Sequence, residues 1–310
     1  MRIAMLGSGG IGGYFGGRLA AAGNDVTFIA RGSHLEAIRT NGLRILSPEL
    51  GDAVVRPANA TDDPGEVGTV DCVVLGVKLW DTDEAARAML PMLGSCTSVL
   101  SLQNGVECDE ILAPVVGRGR LIGGVAFIGS AIEAPGTIRH VGTMQRIVMG
   151  EMSGEVTPRV QALHDTLRDA GIDAEVSDDI ERTIWEKFVF LVGLSSATAL
   201  MRCSIGPVRD EPEGREFLLN VMRETVAVGR AKGVALSEDY AADRLAFADG
   251  LPAEMTSSMQ HDLERGNRLE LPWLAGAVTR LGRETGVPTP VCQTVYAALR
   301  PFAAGAPATA

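Results

Sequence analysis

The first thirty residues constrain the fold more than any other segment, because a glycine-rich loop separates a short apolar strand from an alanine-rich helix. Residues 2–6 read as a strand, and residues 25–30 read as a second strand, rich in β-forming side chains. The loop Gly7-Ser8-Gly9-Gly10-Ile11-Gly12 matches Gly-x-Gly-x-x-Gly, which permits a tight turn and the approach of a pyrophosphate to a helix N-terminus. A ligand-free glycine turn is the alternative, and the strand and helix flanks disfavour it. The segment predicts a dinucleotide-binding strand–helix–strand unit.

The end of the second strand indicates which dinucleotide is preferred. An NAD site places Asp or Glu there to accept a hydrogen bond from the ribose 2′-hydroxyl, whereas this strand ends in Ala30-Arg31. A guanidinium at that position pairs with a 2′-phosphate. An exposed arginine with no ligand is the alternative. The sequence therefore favours NADP as the cofactor.

Two further apolar runs, residues 70–77 and 98–102, read as parallel strands, with a crossover helix over 83–93. Lys78 follows the first run and Asn104 follows the second. Parallel strands bind ligands at their carboxyl ends, so both residues are candidate cofactor contacts. Taken alone, Lys78 reads as a solvated lysine and Asn104-Gly105 as a turn. Their shared edge of the sheet favours the binding interpretation.

The pattern divides the chain into two domains. Residues 43–55 read as a hairpin lying off the sheet, because turn residues interrupt two strand-like runs. After residue 176 strand-like runs give way to long helical patterns, so the boundary is placed near 177. The expected domains are 1–176, holding NADP, and 177–310, a helical domain holding substrate and catalytic groups.

Composition excludes several classes of function. A net charge of −11 opposes nucleic-acid binding, because phosphate neutralisation by Lys and Arg supplies most of that affinity. The five cysteines form no Cys-x-x-Cys pair, and the histidines are too scattered for a metal site, so we expect reduced thiols and no metal. The apolar stretch 188–201 is too short to span a bilayer, and the N-terminus is no secretory signal. We expect a cytoplasmic protein, monomeric or homodimeric, with no membrane partner.

Lys187 is the first candidate catalytic residue. It lies in the apolar helical stretch Ile184-Trp185-Glu186-Lys187-Phe188-Val189-Phe190, and a lysine is almost never buried unless it is paired or functional.

Several motifs together resemble the ketopantoate reductase (2-dehydropantoate 2-reductase) family. In chain order they are the glycine loop, Val77-Lys78, Gln103-Asn104-Gly105, Trp185-Glu186-Lys187, Ser257-Ser258-Met259 with Asp262, and Gly286-Val287-Pro288-Thr289-Pro290. The resemblance implies an α/β fold, with an N-terminal Rossmann-like doubly wound sheet followed by an all-α C-terminal domain. It also implies NADPH-dependent reduction of a 2-oxo acid to a 2-hydroxy acid, namely 2-dehydropantoate to pantoate in pantothenate biosynthesis.

The resemblance assigns roles to individual residues. Lys187 resembles the general acid and Glu270 its partner carboxylate, Ser258 a ligand of the substrate carboxylate, and Asn104 a bridge between nicotinamide and substrate. An ammonium group suits this chemistry, because hydride addition to a ketone leaves an alkoxide that must be stabilised and protonated. The stretch around Glu270 is charge-rich, so a solvated face is the alternative for that residue.

The chain departs from the family pattern four and eight residues after Lys187. Family members have asparagines there, whereas this chain has Leu191 and Ser195. Ser195 remains a candidate substrate contact, but loss of hydrogen-bonding groups weakens the grip on a hydroxylated substrate. Pro272 also follows Glu270 closely, and proline suits a first helical turn, so we expect Glu270 at a helix entrance.

Three alternatives to ketopantoate reduction stay open. The first is a family paralogue that reduces a less polar carbonyl compound. The second is a sensor that binds NADP without catalysis, which would need Arg31 but neither Lys187 nor Glu270. The third is a dehydrogenase that oxidises a hydroxy acid.

Overall fold

The computed structural model describes residues 1–306, which divide into two compact units, Met1–Thr183 and a second unit beginning at Ile184. The first unit contains all ten strands of the described chain and five α-helices. The strands are β1 (Arg2–Leu6), β2 (Asp25–Ile29), β3 (Leu43–Leu46), β4 (Ala53–Val55), β5 (Asn59–Thr61), β6 (Val70–Leu75), β7 (Leu93–Ser101), β8 (Leu121–Ala134), β9 (Thr137–Gly150) and β10 (Asp173–Val176). The helices are α1 (Gly10–Ala21), α2 (Gly32–Asn41), α3 (Thr82–Ala88), α4 (Cys108–Val116) and α5 (Pro158–Asp169).

Six of the strands form the doubly wound sheet that the sequence predicts. Their order is β5-β2-β1-β6-β7-β8, and every neighbouring pair in it is parallel. This is the Rossmann order, in which the chain reverses its direction of winding beside the first strand. The α/β fold class is thereby confirmed, and the reversal lies between β1 and β6.

The rest of the sheet is antiparallel or mixed, which the sequence analysis did not anticipate. β8 and β9 form a long antiparallel hairpin around Pro135-Gly136, where Gly136 has φ +75°. A connection of two residues cannot join parallel strands, so this turn forces the antiparallel pairing. β9 then pairs in parallel with β3 and with β10.

The predicted hairpin over residues 43–55 exists, but its predicted place off the sheet was wrong. β3 and β4 pair antiparallel, and β3 joins the sheet through residues 44–46 beside residues 137–139 of β9. This partner lies more than ninety residues along the chain, so local sequence carries no signal of the pairing.

Two hydrophobic cores cover the two faces of the parallel sheet. Side chains alternate along β1, so Ile3 and Met5 belong to one core while Ala4 and Leu6 belong to the other. α1 packs closely because a Cβ at Gly16 would lie 2.5 Å from the Met5 side chain. The first residues of the helix are thus held directly above the end of β1.

Among its described residues the second unit contains helices and no strand, as predicted. It continues α6 (Ile180–Met201) and adds α7 (Ile205–Asp210), α8 (Pro212–Ala231), α9 (Tyr240–Asp249), α10 (Ser258–Glu264), α11 (Ala275–Thr285) and α12 (Pro290–Leu299). The division between the units falls inside α6, after the predicted boundary at 177. Ile180 explains this, because it packs within the first unit beside Gly123 and Gly150.

α6 is longer than the apolar stretch 188–201 suggested. At 22 residues it is long and apolar enough to span a membrane by length and composition alone. Buried residues make up 61% of its most apolar window, however, which is the pattern of a core helix.

Candidate active site

The glycine loop lies at the carboxyl end of β1, and backbone hydrogen bonds fix its shape. Gly7 has φ +96°, and the N–H groups of Gly7 and Ser8 both donate to the Ile29 carbonyl oxygen, at 3.2 and 3.0 Å. A Cβ on Gly7 would lie 2.6 Å from the Val77 nitrogen, and one on Gly12 would collide with the Gly7 carbonyl oxygen. Packing of the protein itself therefore requires glycine at positions 7 and 12.

Gly9 has no such explanation within the protein. Its φ of −74° suits any residue, and no atom lies within 4 Å of where its Cβ would stand. Among residues 1–306 no side chain caps the N-terminus of α1, which Gly9 precedes. Exposed backbone N–H groups at a helix N-terminus attract phosphate, and glycine there lets a pyrophosphate come close. The loop therefore fits a dinucleotide.

Ser8 serves the loop through its backbone and its buried hydroxyl. The hydroxyl donates to the Met5 carbonyl oxygen at 3.2 Å, and the Ser8 carbonyl oxygen accepts from Nε2 of His34 at 2.9 Å. Nδ1 of the same ring accepts from the Gly136 N–H at 3.0 Å, which leaves the proton on Nε2. Burial lowers the pKa of His34, and the bond to Ser8 offsets part of that effect. A neutral His34 thus ties the glycine loop to the β8–β9 turn.

Arg31 stands directly after β2, at the position that the cofactor prediction requires. Its Nη2 donates to Oε1 of Glu84 at 2.9 Å, and the two side chains are 73% and 67% exposed. Glu84 lies in the first turn of α3, which follows β6. The guanidinium is therefore accessible to a ligand phosphate, with a carboxylate already beside it.

Lys78 and Asn104 lie at the same edge of the sheet as the glycine loop. The Gly76 N–H donates to the Leu6 carbonyl oxygen at 2.8 Å, and the Leu102 N–H donates to the Leu75 carbonyl oxygen at 2.9 Å. These bonds continue the parallel pairing past the ends of β6 and β7. Lys78 is exposed, and its Nζ lies 5.7 Å from the centre of the Trp80 ring. Asn104 is half-buried.

Lys187 and Glu270 form a second group of candidate residues, within the helical unit. Burial lowers the pKa of Lys187 to about 8, and the nearby Glu270 carboxylate opposes that shift. Glu270 is only 7% exposed, and it precedes a short 3-10 helix, Leu271–Trp273, with Pro272 in its first turn. The helix entrance predicted from Pro272 is therefore present. A lysine with a pKa near neutrality can donate a proton and take it back.

The predicted substrate contacts differ in accessibility. Ser258, the first residue of α10, is exposed. Ser195 is fully buried in α6, and its hydroxyl has no hydrogen-bond partner among residues 1–306. Leu191, one turn after Lys187, is half-buried. A role for Ser195 in substrate binding stays a prediction that its burial does not favour.

Sequence reasoning missed the residues that hold Ser258 in place. The Ser257 hydroxyl accepts from the Gln260 N–H at 3.1 Å and caps α10, and it lies 2.8 Å from the Thr198 hydroxyl on α6. Thr198 donates to the Leu194 carbonyl oxygen, so Ser257 is the donor in this pair. A serine before the start of a helix is a capping signal that could have identified Ser257. Nothing in the sequence pointed to Thr198.

A doubly wound sheet of this order, with a glycine loop open to a ligand, is typical of α/β oxidoreductases that use pyridine dinucleotides. Family models described as "Ketopantoate reductase PanE/ApbA" and "Ketopantoate reductase PanE/ApbA C terminal" match residues 3–154 and 179–303. The chain belongs to the ketopantoate reductase family and is an oxidoreductase.

Individual relatives cover nearly the whole chain. A 2-dehydropantoate 2-reductase of Mesorhizobium japonicum is 35% identical over 98% of both chains. The crystal structure of a 2-dehydropantoate 2-reductase from Geobacter metallireducens is similar with a TM-score of 0.90, at 32% identity, covering 97% of this chain and 99% of that one. D-Mandelate dehydrogenase in complex with NADH and anilino(oxo)acetate has a TM-score of 0.87 at 21% identity, over 98% of both chains, and shares the fold.

Proposed function

We propose that this protein reduces a 2-oxo acid to a 2-hydroxy acid with NADPH, converting 2-dehydropantoate to pantoate. The observation that carries the proposal is the Lys187–Glu270 pair, because a partly buried lysine with a pKa of about 8 is suited to proton transfer at neutral pH. The relatives named 2-dehydropantoate 2-reductase support the choice of substrate.

The first unit would hold the cofactor. Backbone N–H groups at the start of α1 would bind the pyrophosphate, with Gly9 leaving room for it. Arg31 would pair with the 2′-phosphate, and Lys78 and Asn104 would lie along the cofactor at the ends of β6 and β7. When bound, NADPH supplies a hydride for the carbonyl carbon.

The second unit would supply the proton and hold the acid. The Lys187 ammonium would stabilise the negative charge that develops on the carbonyl oxygen and then protonate it. Glu270 would orient that ammonium group and hold it in the charged form. The exposed Ser258 hydroxyl would donate to the substrate carboxylate, and Asn104 would bridge nicotinamide and substrate.

Replacement of Lys187 by methionine tests the proposal. We expect K187M to lower the turnover of 2-dehydropantoate, followed by loss of NADPH absorbance, by about 10²- to 10⁴-fold, the usual contribution of a general acid. The matched control is K232M, because Lys232 is an exposed lysine at the end of α8. NADPH affinity, measured by fluorescence titration, should be unchanged in both variants.

Two outcomes would contradict the proposal. Tight NADPH binding by the wild-type protein without turnover of any 2-oxo acid would indicate a dinucleotide sensor. Equal turnover in K187M and the wild-type protein would remove Lys187 from the chemistry.

A second candidate function is the reduction of a less polar 2-oxo acid. Leu191 stands one turn after Lys187, and the Ser195 hydroxyl is buried, so this face of α6 offers a hydroxylated side chain little hydrogen bonding. A comparison of kcat/KM for 2-dehydropantoate and for branched or aromatic 2-oxo acids decides between the two. A higher value for the apolar acids favours the second function.

A further inference from the structure

The Gln103 side chain lies at the centre of a buried hydrogen-bond network between the ends of β6 and β7. Its Nε2 donates to the Val77 carbonyl oxygen at 3.0 Å and to the Thr82 hydroxyl at 2.9 Å. Its Oε1 accepts from Sγ of Cys108 at 2.8 Å and from the Ser101 hydroxyl at 3.4 Å. Both donors and both lone pairs of the amide are therefore satisfied.

Neighbouring groups fix the orientation of this amide. The Thr82 hydroxyl donates to the Leu79 carbonyl oxygen at 2.8 Å, so only its lone pairs face Gln103. Burial raises the pKa of the Cys108 thiol to about 12, which keeps its proton available to donate. A flipped amide would place its N–H groups against the thiol hydrogen and its oxygen against the Val77 carbonyl. One orientation alone satisfies every partner.

The network spans the segment that carries Lys78. Val77 precedes this lysine and Thr82 begins α3, so Gln103 binds both ends of a short segment in which Lys78 is exposed. Gln103 is also the residue before Asn104. We propose that Gln103 and Cys108 are positioning residues, which hold Lys78 and Asn104 in place for cofactor binding and hydride transfer. This inference rests on the function proposed above, because it needs Lys78 and Asn104 at the cofactor.

Substitution at position 103 tests the proposal. Q103M keeps the length of the side chain and removes all four hydrogen bonds. We expect amide hydrogen exchange of residues 77–82 to accelerate, and kcat/KM to fall by about 10²-fold, as a misplacement of about 1 Å can cause. The KM for NADPH should rise more than the KM for the 2-oxo acid, since Ser258 and Lys187, which are untouched, also bind the acid.

The cysteines supply a matched comparison. Cys72 and Cys108 are both buried, and burial raises both thiol pKa values to about 12, but no bond joins Cys72 to Gln103. C108A and C72A each leave a cavity of one sulfur atom. We expect C108A to accelerate exchange in residues 77–82 and to raise the KM for NADPH, whereas C72A does neither. C108S, which keeps a donor, should restore both values toward those of the wild type.

The outcomes separate this inference from the proposed function. Unchanged exchange of residues 77–82 in Q103M and C108A would overturn the positioning role, as would equal effects of C72A and C108A on the KM for NADPH. Failure of the wild-type protein to reduce any 2-oxo acid would overturn the proposed function. The exchange measurement and the fluorescence titration of NADPH would then still decide whether Gln103 and Cys108 hold the segment.

Discussion

At the scale of single residues, the ammonium group of Lys187 is held where water does not solvate it fully. Its pKa of about 8 means that the charged form predominates below pH 8 and is lost above it. If the charged form donates the proton, kcat/KM for reduction should be constant below pH 8. Above pH 8 it should fall by about tenfold per pH unit, as a single deprotonation requires. Steady-state rates from pH 6 to 10 check this.

The Glu270 carboxylate helps to set the pH at which kcat/KM falls. It raises the pKa of Lys187 against the effect of burial, so E270Q should move the fall in kcat/KM to lower pH. A matched control is E264Q, because Glu264 lies nearby in sequence and is exposed at the end of α10. A profile that is identical in E270Q and the wild type would contradict the pairing.

If Arg31 binds the cofactor as proposed, its ion pair with Glu84 should affect cofactor choice. In the proposed cofactor site the carboxylate would compete with a 2′-phosphate for the guanidinium, so E84Q should tighten NADPH binding while leaving NADH binding unchanged. An exposed pair contributes up to about 1 kcal/mol, so the gain should be up to about fivefold. Fluorescence titrations with both cofactors measure it.

A matched control for this change lies on the same helix. Asp83 pairs with Arg87 at 3.0 Å, also exposed. D83N should therefore leave NADPH affinity as it is. If R31A weakened NADPH and NADH binding equally, Arg31 would not bind the 2′-phosphate that distinguishes the two cofactors.

At the scale of the structural element, the turn from β1 to α1 contains two kinds of glycine. Packing of the protein requires Gly7 and Gly12, whereas Gly9 has open space beside it. G9A should fold with an unchanged melting temperature, because its Cβ meets no protein atom. It should weaken NADPH binding, because the methyl group intrudes where the pyrophosphate approaches. Gly119 provides the control: its Cβ also meets nothing, and its φ is not positive, so G119A should leave both properties unchanged. Unaltered NADPH affinity in G9A would place the cofactor elsewhere.

Elements defined by local signals were predictable from the sequence. β1 has the predicted bounds, and β2 ends one residue earlier than predicted, since apolar runs beside glycines mark both. The partial burial of Lys187 and the helix entrance at Glu270 also followed from the residues around them. The Gln103 network could not be predicted, because its partners Val77, Thr82 and Cys108 come together only when two loops meet.

At the scale of the whole molecule, a partly buried ion pair in the first unit should govern stability toward acid. Glu151 follows β9 and accepts two hydrogen bonds from Arg159 of α5, at 2.7 and 2.5 Å. Arg159 also donates to the Gly119 and Leu121 carbonyl oxygens, at 2.6 and 3.2 Å. Removal of the carboxylate charge in E151Q should lower the free energy of unfolding by about 2 kcal/mol, as for charged hydrogen bonds. Urea denaturation at pH 7 measures it.

The pH dependence of this contribution has a definite sign. The hydrogen bonds from Arg159 lower the pKa of Glu151. Its contribution is therefore complete above the unfolded value of about 4.3 and is lost as the pH falls through the lower, folded value. The difference between wild type and E151Q should shrink over that range. E175Q, which breaks an exposed pair with Arg146, should change stability by less than about 1 kcal/mol at any pH.

The global arrangement divides into predictable and unpredictable parts. The doubly wound part of the sheet could be predicted from the sequence. A strand, a glycine loop, a helix and a second strand follow one another along the chain, and a crossover between parallel strands has one handedness. The antiparallel half could not be predicted, since β3, β9 and β10 come from distant parts of the chain. For the same reason the place of the 43–55 hairpin was missed although its turn was recognised.

The strands at the two ends of the sheet have a consequence for self-association. β4 and β5, at these ends, are three residues long, and β10, which adds a further edge beside β9, is four residues long. Edge strands this short expose few unpaired backbone N–H and C=O groups. A second chain that added a strand there would form only a few hydrogen bonds. Any dimer of this protein should therefore form through side-chain surfaces, and its sheet should resist growth into fibrils.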